Sequence, residues 1–416
     1  MKLLITSIFI VLFNLTFAAV WESTNSWDMS YEEEYSNWIM SSKVHENIFI
    51  DKNSPYYGIQ ADCADAAYAL RAIFSFEHSL PFAVKNPSGS RGKIKTFNNE
   101  LDSWDKYGSP NKKLVAMINT IGASVGSENL TYFDTYPIEV ASTKAGSLFT
   151  YKIKARFGNF IRHVYTIKDI NPVGTFDTIY STQAIKAAGE PMTRRKSKEF
   201  VNLPHDPWGF KRFRWPQYIG TSISSLPEEL KASNEQFKIA EELGATNFFK
   251  YVKSLLKTED EDPEQKLFRA LNATCEESMA RIKYVDQAIE FLKQTNGACM
   301  DYRDFDTYST PARDKALTET FNKLRDTYQE LDRNNDLSRA NPTHVQITEA
   351  IFKNVFVPED ELLNFCSINY SQSSRISLKE LWKRINNGLI SSHPNDNLEV
   401  RWGEKSNSKT SCKRWY

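Results

Sequence analysis

The sequence has no excess of either sign of charge. Its 52 lysines and arginines balance 52 aspartates and glutamates, so the formal net charge is zero. A chain without a net field does not attract polyanions or anionic lipid surfaces over long distances. We therefore expect no nucleic-acid partner, and function should lie in local groups of residues.

A hydrophobic run long enough to cross a membrane is also absent from the sequence. The apolar run over residues 3–13 is shorter than the roughly 20 residues that a spanning helix needs. It follows a basic start and precedes Thr-Phe-Ala at residues 16–18, a small-x-small cleavage site. This pattern predicts a signal peptide over residues 1–18 and an exported protein, periplasmic or secreted, without stable membrane insertion.

Motifs that bind metals, phosphates or nucleotides are missing. The sequence contains no Gly-rich phosphate loop, no zinc-ligand spacing and no internal repeat. The aspartates of residues 301–311 lack the glycine and the terminal glutamate of an EF-hand loop, and this segment is interpreted as a loop between helices. The sequence therefore predicts neither a cofactor nor a metal.

Cysteine is scarce, with five residues in the chain. Cys63 stands alone in the first half, whereas the C-terminal half contains Cys275, Cys299, Cys366 and Cys412. Export permits disulfides, and an odd count leaves at least one thiol unpaired. We expect Cys63 to be free, and we favour the pairs Cys275–Cys299 and Cys366–Cys412 among the three possible pairings.

The segment around Cys63 has the pattern of a helix that begins at a nucleophile. Asp62 is a good N-cap residue, and apolar residues then recur at helical spacing as far as Phe74. Partial positive charge at a helix N-terminus favours a thiolate. Like charge on Asp62 and Asp65 acts in the opposite direction, and a lone cysteine is often a core residue. A catalytic role therefore depends on partners elsewhere in the chain.

Three segments with period-two alternation follow, at residues 146–154, 162–170 and 175–181. His163 opens the second predicted strand, and Asp177 lies on the third, across a hairpin turn. Side chains on one face of neighbouring strands can touch, because the strands lie about 4.8 Å apart. The sequence thus predicts a triad of nucleophile, base and orienting carboxylate. Its members are Cys63, His163 and Asp177.

The chain is predicted to divide into an α+β half and a helical half. A helix followed by antiparallel strands indicates an α+β domain over residues 19–190. Residues 191–225 are basic and aromatic and are interpreted as a linker strapped over that domain, a groove for an acidic or sugar-containing polymer being the alternative. Helix-period apolar residues then predict an all-α domain over residues 226–416, which would hold or select the substrate.

The residues around Cys63 resemble the nucleophile helix of bacterial transglutaminase-like cysteine peptidases. That family has Gly-Asp-Cys-x-Asp-x-Ala at the helix start, and Asp62–Arg71 followed by Leu80-Pro81 is similar. His163 with Val164, and Asp177 after the hairpin, are similar to its histidine and aspartate. The resemblance covers residues 30–185. It implies a papain-like fold in which a Cys-His-Asp triad hydrolyses or transfers amide bonds.

Two other papain-like branches are also similar. Residues 55–58 and 146–149 resemble the segments around the site of NlpC-type cell-wall hydrolases, and residues 163–175 resemble a His-Val strand and turn of CHAP-type amidases. The resemblance implies an exported cysteine hydrolase of peptide or amide bonds, with peptidoglycan crosslinks as one candidate substrate. Two alternatives remain open: a protein-crosslinking transglutaminase, and a non-catalytic exported binding or scaffold protein with a degenerate papain-like domain.

Overall fold

The computed structural model describes residues 19–89, 94–154, 160–198, 200–405, 408 and 410–415, so the predicted signal peptide lies outside the described residues. The strands are β1 (Ala83–Lys85), β2 (Thr96–Asn98), β3 (Thr135–Pro137), β4 (Leu148–Lys154), β5 (Phe160–Ile170), β6 (Phe176–Tyr180), β7 (Thr193–Lys198), β8 (Phe210–Phe213), β9 (Ile368–Asn369) and β10 (Arg375–Ile376). The helices are α1 (Met29–Met40), α2 (Cys63–Glu77), α3 (Pro110–Ser124), α4 (Ser127–Asn129), α5 (Gln183–Ala188), α6 (Glu235–Leu256), α7 (Pro263–Gln294), α8 (Tyr302–Tyr308), α9 (Pro311–Arg333), α10 (Pro342–Lys353), α11 (Glu359–Phe365), α12 (Leu378–Asn386) and α13 (Leu398–Arg401).

A six-stranded antiparallel sheet forms the centre of the first half, in the order β3-β8-β4-β5-β6-β7. The three predicted strands are β4, β5 and β6, and the predicted hairpin joins β5 to β6. The predicted fold class is confirmed at the level of a mixed α/β protein with an antiparallel sheet. A papain-like arrangement remains a proposal.

Helices cover both faces of this sheet. Phe213 of β8 packs against Tyr68 of α2, with ring centroids 5.9 Å apart. Phe149 of β4 packs against Phe249 of α6 at the same separation. Phe149 pairs across the strands with Phe210, three residues before Phe213. Because side chains alternate along a strand, α2 and α6 therefore lie on opposite faces.

Two apolar cores organise the chain. The first joins the sheet to α1, α2 and α3, and it also takes in Ala240, Phe248 and Val252 of α6. The second lies among α7, α9, α10 and α12. The predicted boundary at residue 226 thus does not separate the two cores, since α6 belongs to the first. A smaller cluster, which includes Ile185 of α5 and Tyr284 of α7, connects them.

The interpretation of residues 191–225 as a linker is wrong, because this segment supplies β7 and β8 of the central sheet. All four residues of β8 are buried. Its charged side chains hydrogen bond to backbone oxygens: Lys211 Nζ donates to Pro207 O at 3.0 Å, and Arg212 Nη2 donates to Ser142 O at 2.6 Å. Part of the positive charge of this segment is therefore buried inside the fold and is not exposed on its surface.

Two further predictions about the C-terminal half are wrong. The disulfides are Cys275–Cys366 and Cys299–Cys412, so neither favoured pair forms. The segment taken as a loop before Pro311 contains the short helix α8. By contrast, the prediction that Cys63 is the free thiol is confirmed. In the part of the chain that the structure describes, no helix is long and apolar enough to cross a lipid bilayer.

Candidate active site

Cys63 is the first residue of α2, and a reciprocal cap fixes the helix there. Asp62 Oδ1 accepts hydrogen bonds from the backbone N–H groups of Ala64, at 3.0 Å, and Asp65, at 3.2 Å. Asp65 Oδ2 in turn accepts from the N–H of Asp62 at 3.1 Å. This capping box satisfies the free donors of the first turn. The Cα–Cβ bond of Cys63 is therefore held in one direction.

Asp65 joins helix α2 to two other elements. Its Oδ2 lies 2.6 Å from Lys186 Nζ of α5, while Oδ1 is buried without a partner among the described residues. A Cβ at Gly122 of α3 would come within 2.8 Å of the Asp65 carboxyl carbon, so only glycine fits there. Burial, reinforced by the charge of Asp62, raises the pKa of Asp65 to about 7 despite Lys186.

His163 lies in an aromatic cluster on β5. Its ring centroid is 4.4 Å from that of Tyr165, 5.1 Å from that of Tyr180 and 5.9 Å from that of Tyr151. Burial, reinforced by the positive charge of nearby Arg313, lowers the pKa of His163 to about 3. The imidazole is therefore neutral near pH 7, and the same surroundings make it a weak base in the free protein.

Cys63 and His163 line the same cavity, which has a volume of about 340 Å³ and is open to solvent. Helix α2, which begins at Cys63, covers one face of the sheet, whereas the imidazole lies on the other face. Phe149 pairs with Tyr165, and His163 lies two residues earlier on β5, so the imidazole is on the α6 face and not on the α2 face. The described residues show no hydrogen bond between Cys63 and His163.

The Cys63 thiol is half-buried and approaches β5 at the backbone of Val164. Burial and the charges of Asp62 and Asp65 raise the pKa of the thiol well above its usual value. The N–H groups of Val164 and Ala64 oppose this effect, since both lower the pKa of the thiol. Pairing between β5 and β6 ends at Thr166 and Ile179. Beside Val164, β5 therefore has no pairing with β6. The resting site thus holds a neutral thiol and a neutral imidazole.

The structure does not place Asp177 beside His163. Asp177 pairs with Asp169, six residues along β5 from His163, which corresponds to roughly 20 Å along a strand. Its Oδ1 accepts from the N–H of Ser197 at 2.9 Å, and its Oδ2 lies 3.5 Å from Arg194. Asp177 is therefore a sheet residue, and the prediction that it orients His163 is wrong in this geometry.

Hydroxyl groups occupy the place where the third member of a triad was expected. Continuing the β5–β6 register past Thr166 and Ile179 brings Thr182 opposite His163. Thr182 and Tyr180 both line the cavity. Thr182 also caps α5, accepting from the N–H of Ile185 at 3.3 Å. No carboxylate among the described residues hydrogen bonds the imidazole.

The helical half supplies the opposite wall of the cavity. Tyr284 of α7 and Arg313 of α9 line it, and the guanidinium carbon of Arg313 lies 3.8 Å from the centre of the Tyr284 ring. Glu277, two turns earlier on α7, accepts from Lys198 Nζ at 2.7 Å. Sequence reasoning missed these residues, because no motif marks them and they lie far from Cys63 along the chain.

Neither a metal site nor a similar protein indicates which reaction this cavity could support. Within the described residues, no group of histidine, cysteine, aspartate and glutamate side chains is arranged to hold a metal ion. The comparisons with protein-family models, curated proteins and solved structures found no match to this chain. The residues of the cavity are therefore the basis for any function.

Proposed function

We propose that this protein is an exported cysteine hydrolase that cleaves peptide or amide bonds with Cys63 and His163. The observation that carries the proposal is that a free thiol at a helix start and a neutral imidazole border one open cavity. The N–H of Val164 near the sulfur offers a donor for a developing oxyanion, whereas the N–H of Ala64 is already bonded to Asp62 Oδ1. The oxidising compartment that export provides is consistent with the two disulfides.

The chemistry starts from uncharged groups. As the Cys63 sulfur attacks the substrate carbonyl carbon, the His163 imidazole takes the thiol proton, directly or through one water. The tetrahedral oxyanion forms beside the N–H of Val164. Its collapse breaks the C–N bond, and the imidazolium returns the proton to the leaving amine. Water then attacks the thioester, again losing a proton to His163, which releases the acid and restores the thiol.

This mechanism requires the two side chains to come closer than they lie in the free protein. Catalytic hydrogen bonds are often long without substrate and shorten in the substrate complex. A substrate that fills the cavity would also exclude water from both groups. If an amine reached the thioester in place of water, the same site would act as a transglutaminase. Peptidoglycan crosslinks are one candidate substrate, because they are amides outside the cytoplasm.

A second candidate function is binding without catalysis. The raised pKa of the Cys63 thiol and the position of His163 on the opposite face of the sheet favour it. In that case the cavity would hold a ligand between the sheet and the helical half, and Cys63 would be a structural residue. Turnover experiments distinguish the two functions.

The test is cleavage of a mixed peptide library and of purified peptidoglycan, followed by mass spectrometry. We expect Cys63→Ala to abolish cleavage and His163→Gln to slow it at least a hundredfold, the usual contribution of a general base being 10²–10⁴. Asp177→Asn serves as the matched control and should stay within twofold of wild type. Equal product from wild type and Cys63→Ala would overturn the proposal.

A further inference from the structure

The cavity beside Cys63 has more cationic than anionic side chains. Among its described lining residues, the cations are Arg162, Arg195, Arg303 and Arg313, and the carboxylates are Asp62, Glu277 and Asp306. Arginine presents a planar fork of donors that matches a carboxylate. The composition of the wall therefore indicates a ligand with negative charge.

Two of the three carboxylates are already committed to the protein. Asp62 caps α2 through Ala64 and Asp65, and Glu277 binds Lys198. Asp62 therefore offers little compensation to the arginines, whereas Glu277 also interacts with the charges of Arg195 and Arg313.

The arginines have partners too, since Arg162 Nε donates to Glu128 at 2.8 Å and the charges of Glu277 and Glu276 act on Arg195, but unused donors remain. Arg195 Nε is buried and has no hydrogen-bond partner among the described residues. Arg313 stacks on Tyr284, and its Nη1 donates to the backbone oxygen of Ser309 at 3.2 Å. A stacked guanidinium keeps its edge for hydrogen bonding, which is how arginine commonly holds an anion. An anionic ligand would supply the missing partners.

A second cavity of about 580 Å³ adjoins the first. The two share lining residues at Ile161 on β5 and at positions 309, 311 and 312 before and at the start of α9. The described lining of the second cavity includes Lys154, Lys315 and Arg414 and contains no carboxylate. Positive charge thus continues away from Cys63 in one direction.

We propose that the ligand of this cleft is an acidic peptide, whose carboxylates are bound by Arg195 and Arg313 in the first cavity and by Lys315 and Arg414 in the second. As a statement about the substrate of Cys63, this inference rests on the proposed function. Carboxylates held at these positions would place a backbone amide of the same chain beside the thiol. Specificity would then come from acidic residues at a distance from the cleaved bond.

A peptide fits this charge pattern better than a nucleic acid does. The chain as a whole has no net charge, so it lacks the long-range attraction that polyanion-binding proteins use. The cations are confined to the walls of two cavities of limited volume. An amide-bearing ligand is also the one on which a thiol and an imidazole can act.

The test measures binding separately from turnover. Fluorescein-labelled peptides of alternating glutamate and alanine, or of glutamine and alanine, are titrated with the mature Cys63→Ala protein and followed by fluorescence anisotropy. We expect the glutamate peptide to bind at least tenfold tighter than the glutamine peptide. Lys315→Gln should weaken its binding at least threefold and Arg313→Gln at least tenfold. Lys238→Gln, which removes an exposed lysine of α6 outside both cavities, should change it less than twofold.

The outcomes separate this inference from the proposed function. Equal affinity for the two peptides, or tighter binding of a thymidine oligonucleotide of equal charge, would overturn the inference. Tight, Arg313-dependent binding of the glutamate peptide by a wild-type protein that cleaves nothing would keep the inference and overturn the hydrolase. Lys315 is exposed, so Lys315→Gln gives a reading even if Arg313→Gln fails to fold. In that case Arg313→Lys, which keeps the charge but not the fork, replaces it, with an expected threefold loss.

Discussion

The sulfur of Cys63 lies against the backbone N–H of Val164, which is the residue that follows His163 on β5. Helix α2 therefore approaches the sheet at the backbone of the strand that carries His163. The imidazole itself points to the other face, towards the helical half. Both side chains border the cavity past the end of β6, so the proposed catalysis depends on a substrate in that cavity that brings them together.

The pKa of His163 should lie far below that of an ordinary histidine. Its pKa is lowered to about 3 in the folded protein, against about 6.5 when unfolded. The unfolded chain then binds the extra proton between these values, so His163 contributes stability that is complete above pH 6.5 and is lost as pH falls towards 3. The free energy of unfolding of wild type relative to His163→Gln should rise with pH over this range.

Urea titrations at several pH values measure this difference, and the ring signals of His163 in NMR spectra provide a direct check. The signals should not move between pH 4.5 and 8. A midpoint near 6.5 would contradict the burial and charge environment assigned to this residue.

Asp65 should produce the opposite pH dependence. Burial raises its pKa to about 7, so the folded protein holds a proton that the unfolded chain loses near pH 3.8. The stability that Asp65 contributes is therefore complete below pH 3.8 and falls as pH rises to about 7. The free energy of unfolding of wild type relative to Asp65→Asn should decrease by up to a few kcal/mol over that range and then stay constant.

Thermal and urea unfolding of both proteins test the effect of Asp65. Asp102→Asn, at an exposed position, is the charge-matched control and should give a flat difference. A wild-type advantage that grows between pH 4 and 7 would show that the Asp65 carboxylate is stabilised by Lys186 more than burial destabilises it.

The two disulfides should differ in what their removal costs. Cys275–Cys366 lies within the second core, and replacing both cysteines with serine should lower the free energy of unfolding by about 2–5 kcal/mol. Cys299–Cys412 holds the C-terminal segment that carries Arg414. Its removal should increase hydrogen exchange in residues 410–415 and weaken binding of the acidic peptide.

Urea denaturation and hydrogen exchange measure these effects, and peptide mapping without reduction verifies the pairing itself. A peptide that joins Cys275 to Cys299 would contradict the structure and restore the pairing expected from the sequence.

Local patterns in the sequence were enough to predict the elements around Cys63. Asp62 as the cap of α2 and the alternation along β4 and β5 are properties of adjacent residues, and the structure contains all three features. β8 escaped prediction because its four residues are all buried and two of them carry charges, so alternation is absent. Backbone oxygens accept hydrogen bonds from those two side chains, and a sequence pattern does not show such partners.

The offset of Asp177 from His163 follows from the position of the hairpin turn in the sequence. In a hairpin, the residues nearest the turn pair with each other, and the turn lies at residues 171–174. Asp177 is close to that turn, whereas His163 is far from it, so the two cannot be opposite each other. The wall formed by Tyr284 and Arg313 could not be predicted in this way, because it depends on how the helical half packs on the sheet. No local pattern encodes that packing.

The most direct test of the central claim is covalent labelling of Cys63 by a peptide chloromethyl ketone at pH 7, followed by intact-mass spectrometry of the mature protein. If Cys63 and His163 act as nucleophile and base, wild type should be labelled at least tenfold faster than His163→Gln, with Asp177→Asn equal to wild type. An adduct that forms at the same rate in wild type and His163→Gln would contradict the account and leave Cys63 as a structural thiol beside a binding cavity.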